Sequence, residues 1–386
     1  MSRPRSKVII FGAGELGGIV AELLVRHPTF RGKIVLADVN HDLALRRANS
    51  AQQGALQWGS ESLITASAAD LRDIDRTSEL LAACRPDLIF NATTLATWWL
   101  RDLLPDSVKR RLHVLGAGSG VWSASHAALA YHLMRATRQS GLKVPTVNSS
   151  YPDAVNPALA AAGLAPDLGI GNGDLLVPAL QQVLGEMAGV PPHRVRVTLA
   201  AHHFHAYNIL MHGHAHDLGF PIRAAIDNSE LSADFDWPDV FRRVPQEARI
   251  PGAAAATWIV AASAVRTVMA LLDPGGQLIH APGPLGLVGG YPLRVAPQGI
   301  ALALPPGVDR EEALAANWRA QRAEGIEAIE ADGTIRLTEV AAGTLKEVFG
   351  FDCDRYPLAD CLVIAKELSA ALRSLGERHG VALRTH

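Results

Sequence analysis

Apolar and polar positions alternate along the chain in a way that predicts strands and helices in turn. Val8 to Phe11 are four apolar residues in a row, the signature of a strand covered on both faces. A glycine turn follows, and then Leu16, Ile19, Val20, Leu23 and Leu24 repeat at helical period. The same logic predicts a strand over 33–38, a helix over 41–53, a strand ending near Asp70, a helix over 75–84 and a strand over 86–94. A helix over 124–141 and a strand within 144–153 come next. Asn156-Pro157 is read as the start of a short helix ending at Gly163. Further on the pattern predicts a helix over 175–188, a strand over 194–201, a long helix from Ala253 to Leu272 and a Gly- and Pro-rich stretch over 279–295. A strand over 299–304, a charged helix over 309–324, a strand over 334–338 and a helix over 358–375 complete the reading.

The turn after the first strand carries chemistry. Gly12-x-Gly14-x-x-Gly17 has the spacing of a dinucleotide-binding turn: a tight bend, an open approach for a pyrophosphate, and close helix–strand packing. The second strand ends in Asp38, roughly 20 residues on, where an acid accepts from a ribose 2′-hydroxyl. That carboxylate repels a 2′-phosphate and favours NAD; Arg46 and Arg47, two helical turns later, keep NADP in view. The expected cofactor set is Gly12, Gly14, Glu15, Leu16, Gly17, Asp38, Asp70, Asn91, Ala92 and Thr93, the last four at the carboxyl ends of strands where parallel sheets bind ligands. Asp70 has a second reading as a helix cap. The predicted fold class is α/β. It has a Rossmann domain over 1–165, an α+β substrate and oligomerisation domain over 166–350, and a C-terminal helix over 351–386 packing back on the first domain.

Composition narrows the function. At 386 residues the chain exceeds the size at which single cores stop growing, so more than one domain is expected. A net charge of −2 and 5% aromatic residues carry no footprint for nucleic acid. Cys84, Cys353 and Cys361 are too scattered for a disulfide framework and read as small core residues of a reducing compartment. The basic start, Met1 to Ser6, leads into a strand and not into a signal-peptide core, and no uninterrupted apolar run of membrane-spanning length is read, so a cytoplasmic location without membrane contact is expected. Of the adjacent Trp98 and Trp99, one is expected in the core and one facing a pocket or partner. Gly116 to Gly120 looks like a second phosphate loop but lacks a full strand before it, and is read as an active-site loop.

Six of the 15 histidines fall between 202 and 216: His202, His203, His205, His212, His214 and His216. Three readings stay open: proton transfer or substrate orientation, a divalent metal site, or no chemical role. If pleating continues past residue 201, His203 and His205 share one face and His202 takes the other. The order Gly-x-Gly-x-x-Gly, Asp38, Asp70 and Asn91-Ala-Thr resembles the saccharopine dehydrogenase-like group of oxidoreductases over about the first 165 residues. The segment His202-His203-x-His205 resembles the His-His segment of dihydrodipicolinate reductases, although Ala206 and Tyr207 stand where that family has a lysine. These resemblances imply NAD(P)-dependent hydride transfer at a C–N or C–O carbon of a small amino-acid-derived substrate, and a homodimer by family habit. His202, His203 and His205 are then the catalytic candidates, with no metal required. Tyr151, Asp153, Asn156, Arg223 and Arg294 are the substrate-binding candidates, the arginines because guanidinium grips a carboxylate bidentately. His280 and Tyr291 are weaker ones. The competing expectations are a dinucleotide-binding sensor without chemistry and a metal-dependent enzyme using the 202–216 histidines.

Overall fold

The computed structural model describes residues 6–95, 97, 99, 103–112, 115–227, 229–231, 235–296, 298–381 and 383. Its first half alternates as the pattern requires: β1 (Ser6–Phe11), α1 (Glu15–Arg26), β2 (Gly32–Asp38), α2 (His41–Gln57), β3 (Leu63–Ala68), α3 (Ile74–Cys84), β4 (Leu88–Asn91), α4 (Asp106–Leu112), α5 (Ser123–Gln139), β5 (Thr146–Asn148), α6 (Pro152–Ala161) and β6 (Leu168–Gly169). These strands form one parallel sheet in the order β3-β2-β1-β4-β5-β6. The order reverses between β1 and β4, and ligands of such sheets bind in the crevice at that point. The sixth strand lies beyond residue 165. Asp167 draws it in by accepting the Thr146 N–H, at 2.7 Å, and donating its own N–H to the Thr146 carbonyl. Pro157 sits inside α6 and does not begin it.

The second half continues as α7 (Gly173–Ala188), β7 (Val195–Leu199), α8 (His203–His212), β8 (Ile222–Ile226), β9 (Ser229–Glu230), α9 (Trp237–Glu247), α10 (Thr257–Leu272), β10 (Gln277–Pro282), β11 (Gly290–Ala296) and β12 (Gly299–Leu302). After these come α11 (Arg310–Ala323), β13 (Ile326–Ile329), β14 (Ile335–Leu337), α12 (Glu339–Thr344), β15 (Arg355–Tyr356) and α13 (Cys361–Arg378). The strands make three antiparallel sheets, β7-β8-β9, β10-β11-β12 and β13-β14-β15. The Gly- and Pro-rich stretch over 279–295 supplies most of β10 and β11. Cross-strand pairing from Gln277↔Val295 to Pro282↔Gly290 satisfies its backbone, and Gly290 exchanges two hydrogen bonds with Ala201.

Two helices tie the halves together. The stretch Ala254 to Leu272 is long and apolar enough to cross a membrane, but more than half of it is buried. Its Ala261, Ala264 and Val268 pack in one cluster with Val20 and Leu24 of α1. Leu368, Leu372 and Leu375 of α13 join Ala124, Ala127 and Ala128 of α5 in another. Each such leucine contributes about 1.5–3 kcal/mol by leaving water.

Pleating does not continue past β7. The strand stops at Leu199, and His202 caps α8: its imidazole accepts the Phe204 N–H, while the His205 imidazole accepts the His202 N–H at 3.1 Å. His203 and His205 therefore stand two apart on a helix, where side chains do not share a face.

Candidate functional site

A cavity of about 980 Å³ runs along the carboxyl edge of the parallel sheet. At one end lies the glycine turn. Gly12 has φ +97°, and a Cβ there would stand 2.8 Å from the Ala92 carbonyl oxygen. A Cβ on Gly17 would run into the Gly12 carbonyl, so this glycine lets α1 approach the strand. Gly14 differs: nothing lies within 4 Å of its Cβ position, which opens on the cavity. That open space at the N-terminus of α1 fits an incoming diphosphate. Asp38 lines the same cavity; its carboxylate accepts the Ala13 N–H at 2.7 Å and the Asn40 N–H at 2.8 Å. It thus fixes the turn and also presents an acid at the end of β2.

Glu15, Leu16, Ala92, Thr93 and Asp70 also line the cavity. Arg72 chelates the Asp70 carboxylate at 2.7–3.0 Å, and that hydrogen bond holds the acid below its ordinary range despite partial burial. The cap of α3 is Asp73, not Asp70. Arg46 pairs with Asp42, and Arg47 lies over Gly18; neither is in the cavity wall.

At the other end stands a histidine–carboxylate pair. Glu324 follows α11 and is nearly inaccessible. Its Oε2 lies 3.0 Å from His203 Nδ1, 3.1 Å from Tyr151 Oη and 3.3 Å from Ser119 N. Burial pushes the Glu324 carboxyl up, but the charge and hydrogen bond of His203, with help from His202 and Ser119, outweigh it and hold the group well below the usual carboxylate range. An ionised carboxylate only accepts, so His203 donates from Nδ1, and in the neutral form of the ring Nε2 is the acceptor. The backbone is held as firmly. Asp153, fully buried, accepts the His203 N–H at 2.9 Å at the start of α8, and also accepts from the Asn172 side chain. The Tyr151 ring stands 5.6 Å from the His203 ring and 6.0 Å from that of His126, whose Nδ1 contacts Thr94 Oγ1 and Ser150 Oγ at 3.2 and 3.1 Å. His203, Tyr151, His126 and Ser119 all face the cavity.

Several expected site residues lie elsewhere. His202 and His205 are fully buried behind His203; burial pulls the His202 imidazole down and that of His205 to about 3, so His205 is neutral and cannot exchange protons near neutrality. Asn91 and Asn156 do not reach the cavity either. They belong to a buried amide chain: Asn91 Nδ2 donates to Asn148 Oδ1 (3.0 Å), Asn148 Nδ2 to Asn156 Oδ1 (2.9 Å), and Asn156 Nδ2 to the Gly283 carbonyl (3.1 Å). Replacing Asn148 by Ala strands these partners and should cost about 2–4 kcal/mol, read from the denaturant midpoint; a cost under about 1 kcal/mol would show that the chain does not hold the strand ends. Asp153 positions His203 from outside the cavity wall. Arg223 is on β8, paired with Thr198, and donates to the Ile222 carbonyl, and Arg294 is exposed on β11; neither lines the cavity. His280, on β10, and Tyr291, on β11, are buried. Among the described residues no three His, Cys, Asp or Glu side chains are grouped to hold a metal. His214 packs against both His212 and His216, and His216 bonds Asn208 at 3.1 Å. Trp99 lines the cavity; Trp98 lies outside the described residues.

Glu324 escaped the sequence reading. Its one signal was an acid at a helix C-terminus, against the helix dipole, directly before a glycine. The Gly116–Gly120 segment has its explanation here. The Gly116 and Gly120 amides donate to the Ala323 and Glu324 carbonyls at 2.7 Å, and a Cβ on Gly120 would meet the Glu324 oxygen at 2.6 Å. Its glycines bring backbone against the carboxylate's own loop.

No family model and no curated protein matches the chain. Solved structures do. Lactate dehydrogenase of Eimeria maxima with NADH and oxamate is 14% identical, with 95% of this chain and 96% of that one covered and a TM-score of 0.54. Lactate dehydrogenase of Cryptosporidium parvum with lactic acid and nicotinamide adenine dinucleotide is 13% identical, covering 95% and 98%, at 0.56. Malate dehydrogenase of Picrophilus torridus is 16% identical, covering 82% and 94%, at 0.57. The chain has the fold of these dehydrogenases: a Rossmann sheet joined to an α+β half.

Proposed function

We propose that the chain is an NAD-dependent oxidoreductase acting at a C–O carbon of a small molecule. The observation that carries this is one cavity holding an open glycine turn and Asp38 at one end, and an imidazole fixed by a buried, ionised glutamate at the other. Gly12, Gly14, Glu15 and Leu16 would hold the diphosphate and Asp38 the ribose. Bound NAD supplies the hydride acceptor. His203 Nε2 takes the hydroxyl proton of an alcohol as its carbon is oxidised to a carbonyl, and returns it in the reverse direction. Glu324 stabilises the imidazolium so formed, and Asp153 fixes the start of the helix that carries it. Solved neighbours bound to lactic acid with the dinucleotide, or to NADH with oxamate, support this class of chemistry. The likeness of the first 165 residues to saccharopine dehydrogenase-like enzymes favours a second reading, the same hydride exchange at a C–N carbon.

A panel of 2-hydroxy acids, 2-keto acids, secondary alcohols and amino acids, screened at the nicotinamide absorbance band, separates the two. His203→Asn should lower kcat by about 10²–10⁴-fold while NADH still raises Tm. Unchanged turnover in that variant would sink the assignment.

A further inference from the structure

We propose that the substrate of this site carries an apolar tail, which runs from the reacting carbon at His203 along the cavity-lining face of α8. This deepens the reading above and rests on it. Starting at His203, the helix presents Ala206, Tyr207, Leu210 and Met211 to the same cavity, a spacing of three, four, seven and eight residues that defines one helical face. At 1.5 Å per residue the face extends about 12 Å beyond the imidazole. Ile250 and Pro251 add further apolar lining to the same cavity. Met211 is half exposed, although it is a large apolar side chain on a short helix. Among the described residues of the cavity wall the only Arg or Lys is Arg72, already chelated to Asp70 at the end of the sheet where β3 stops. A three- or four-carbon hydroxy acid would occupy the His203 end and leave this whole wall in water. An apolar wall contiguous with a reactive group is a binding surface by its chemistry, and the ligand it fits is a long aliphatic ketone or the corresponding secondary alcohol.

The test uses the full chain with NADH and methyl ketones of four, eight and twelve carbons, read by tryptophan fluorescence, since Trp99 and Trp122 line the cavity. Affinity should rise about fourfold for each added methylene until the tail passes Met211. Leu210→Lys should flatten that slope; because Leu210 also packs on the core beneath α8, the half-exposed Met211→Lys provides the same test without risk to folding. Affinity independent of chain length in the wild type, or an unchanged slope in Met211→Lys, overturns the tail site. The Tm response to NADH alone is measured separately. A chain-length slope without that response overturns the dinucleotide reading and leaves the apolar site standing. The response without a slope does the reverse.

Discussion

Replacing Glu324 by Gln is expected to lower kcat by about 10²–10⁴-fold, with nucleotide binding retained. Three donors converge on its Oε2: the His203 ring, the Tyr151 hydroxyl and the Ser119 amide. Glutamine keeps the shape and one acceptor oxygen but removes the charge. An imidazolium formed during proton transfer then has no counter-charge, and the amide N–H₂ competes to hold the ring in the other tautomer. The same substitution changes how stability depends on pH. The Glu324 carboxyl titrates lower in the folded chain than its ordinary 4.5. Its contribution is therefore complete above that value and is lost as pH falls towards the folded value. The stability gap between wild type and Glu324→Gln should be present at neutral pH and shrink below about pH 4.5. Tm measured against pH for both proteins checks this; a gap that persists unchanged into acid would contradict an ionised carboxylate. Turnover within a factor of about two of wild type would remove Glu324 from the chemistry.

The two glycines of the turn should fail in opposite ways. Gly17→Ala places a methyl group against the Gly12 carbonyl, a backbone atom that can move only if the turn or α1 moves. Overpacking of this kind costs about 1–3 kcal/mol, and rigid backbone puts this case at the upper end. The free protein should therefore melt several degrees lower. Gly14→Ala meets nothing in the free protein, and its backbone, at φ −63° and ψ −161°, is extended. Its Tm should be unchanged, yet the methyl fills the space a diphosphate needs, so NADH affinity should fall by tenfold or more. Calorimetric titration and thermal melts of both variants give the comparison. If Gly14→Ala binds NADH like the wild type, the cradle is not where the diphosphate sits.

What the sequence determined on its own is local. The four apolar residues before Gly12, the glycine spacing and Asp38 at the next strand end specify strand, turn, helix and acid through backbone sterics and short-range chemistry, and the parallel sheet follows because such strands must be covered on both faces. Tertiary structure alone decided the histidine end of the cavity. His203 and Glu324 are separated by 121 residues and meet because α11 delivers the carboxylate beneath the first turn of α8. No periodicity encodes that meeting. The histidine cluster was visible, but which member faces the cavity depended on a helix cap formed by His202 and His205, which ended the strand and turned His203 outward. Arginines were expected to mark the substrate because their chemistry suits carboxylates. Yet Arg223 and Arg294 lie on strands whose register carries them away from the cavity, and such placement depends on which strand pairs with which. Sequence specifies residues that act through their own neighbours; residues that act across the fold are specified only when the fold brings them together.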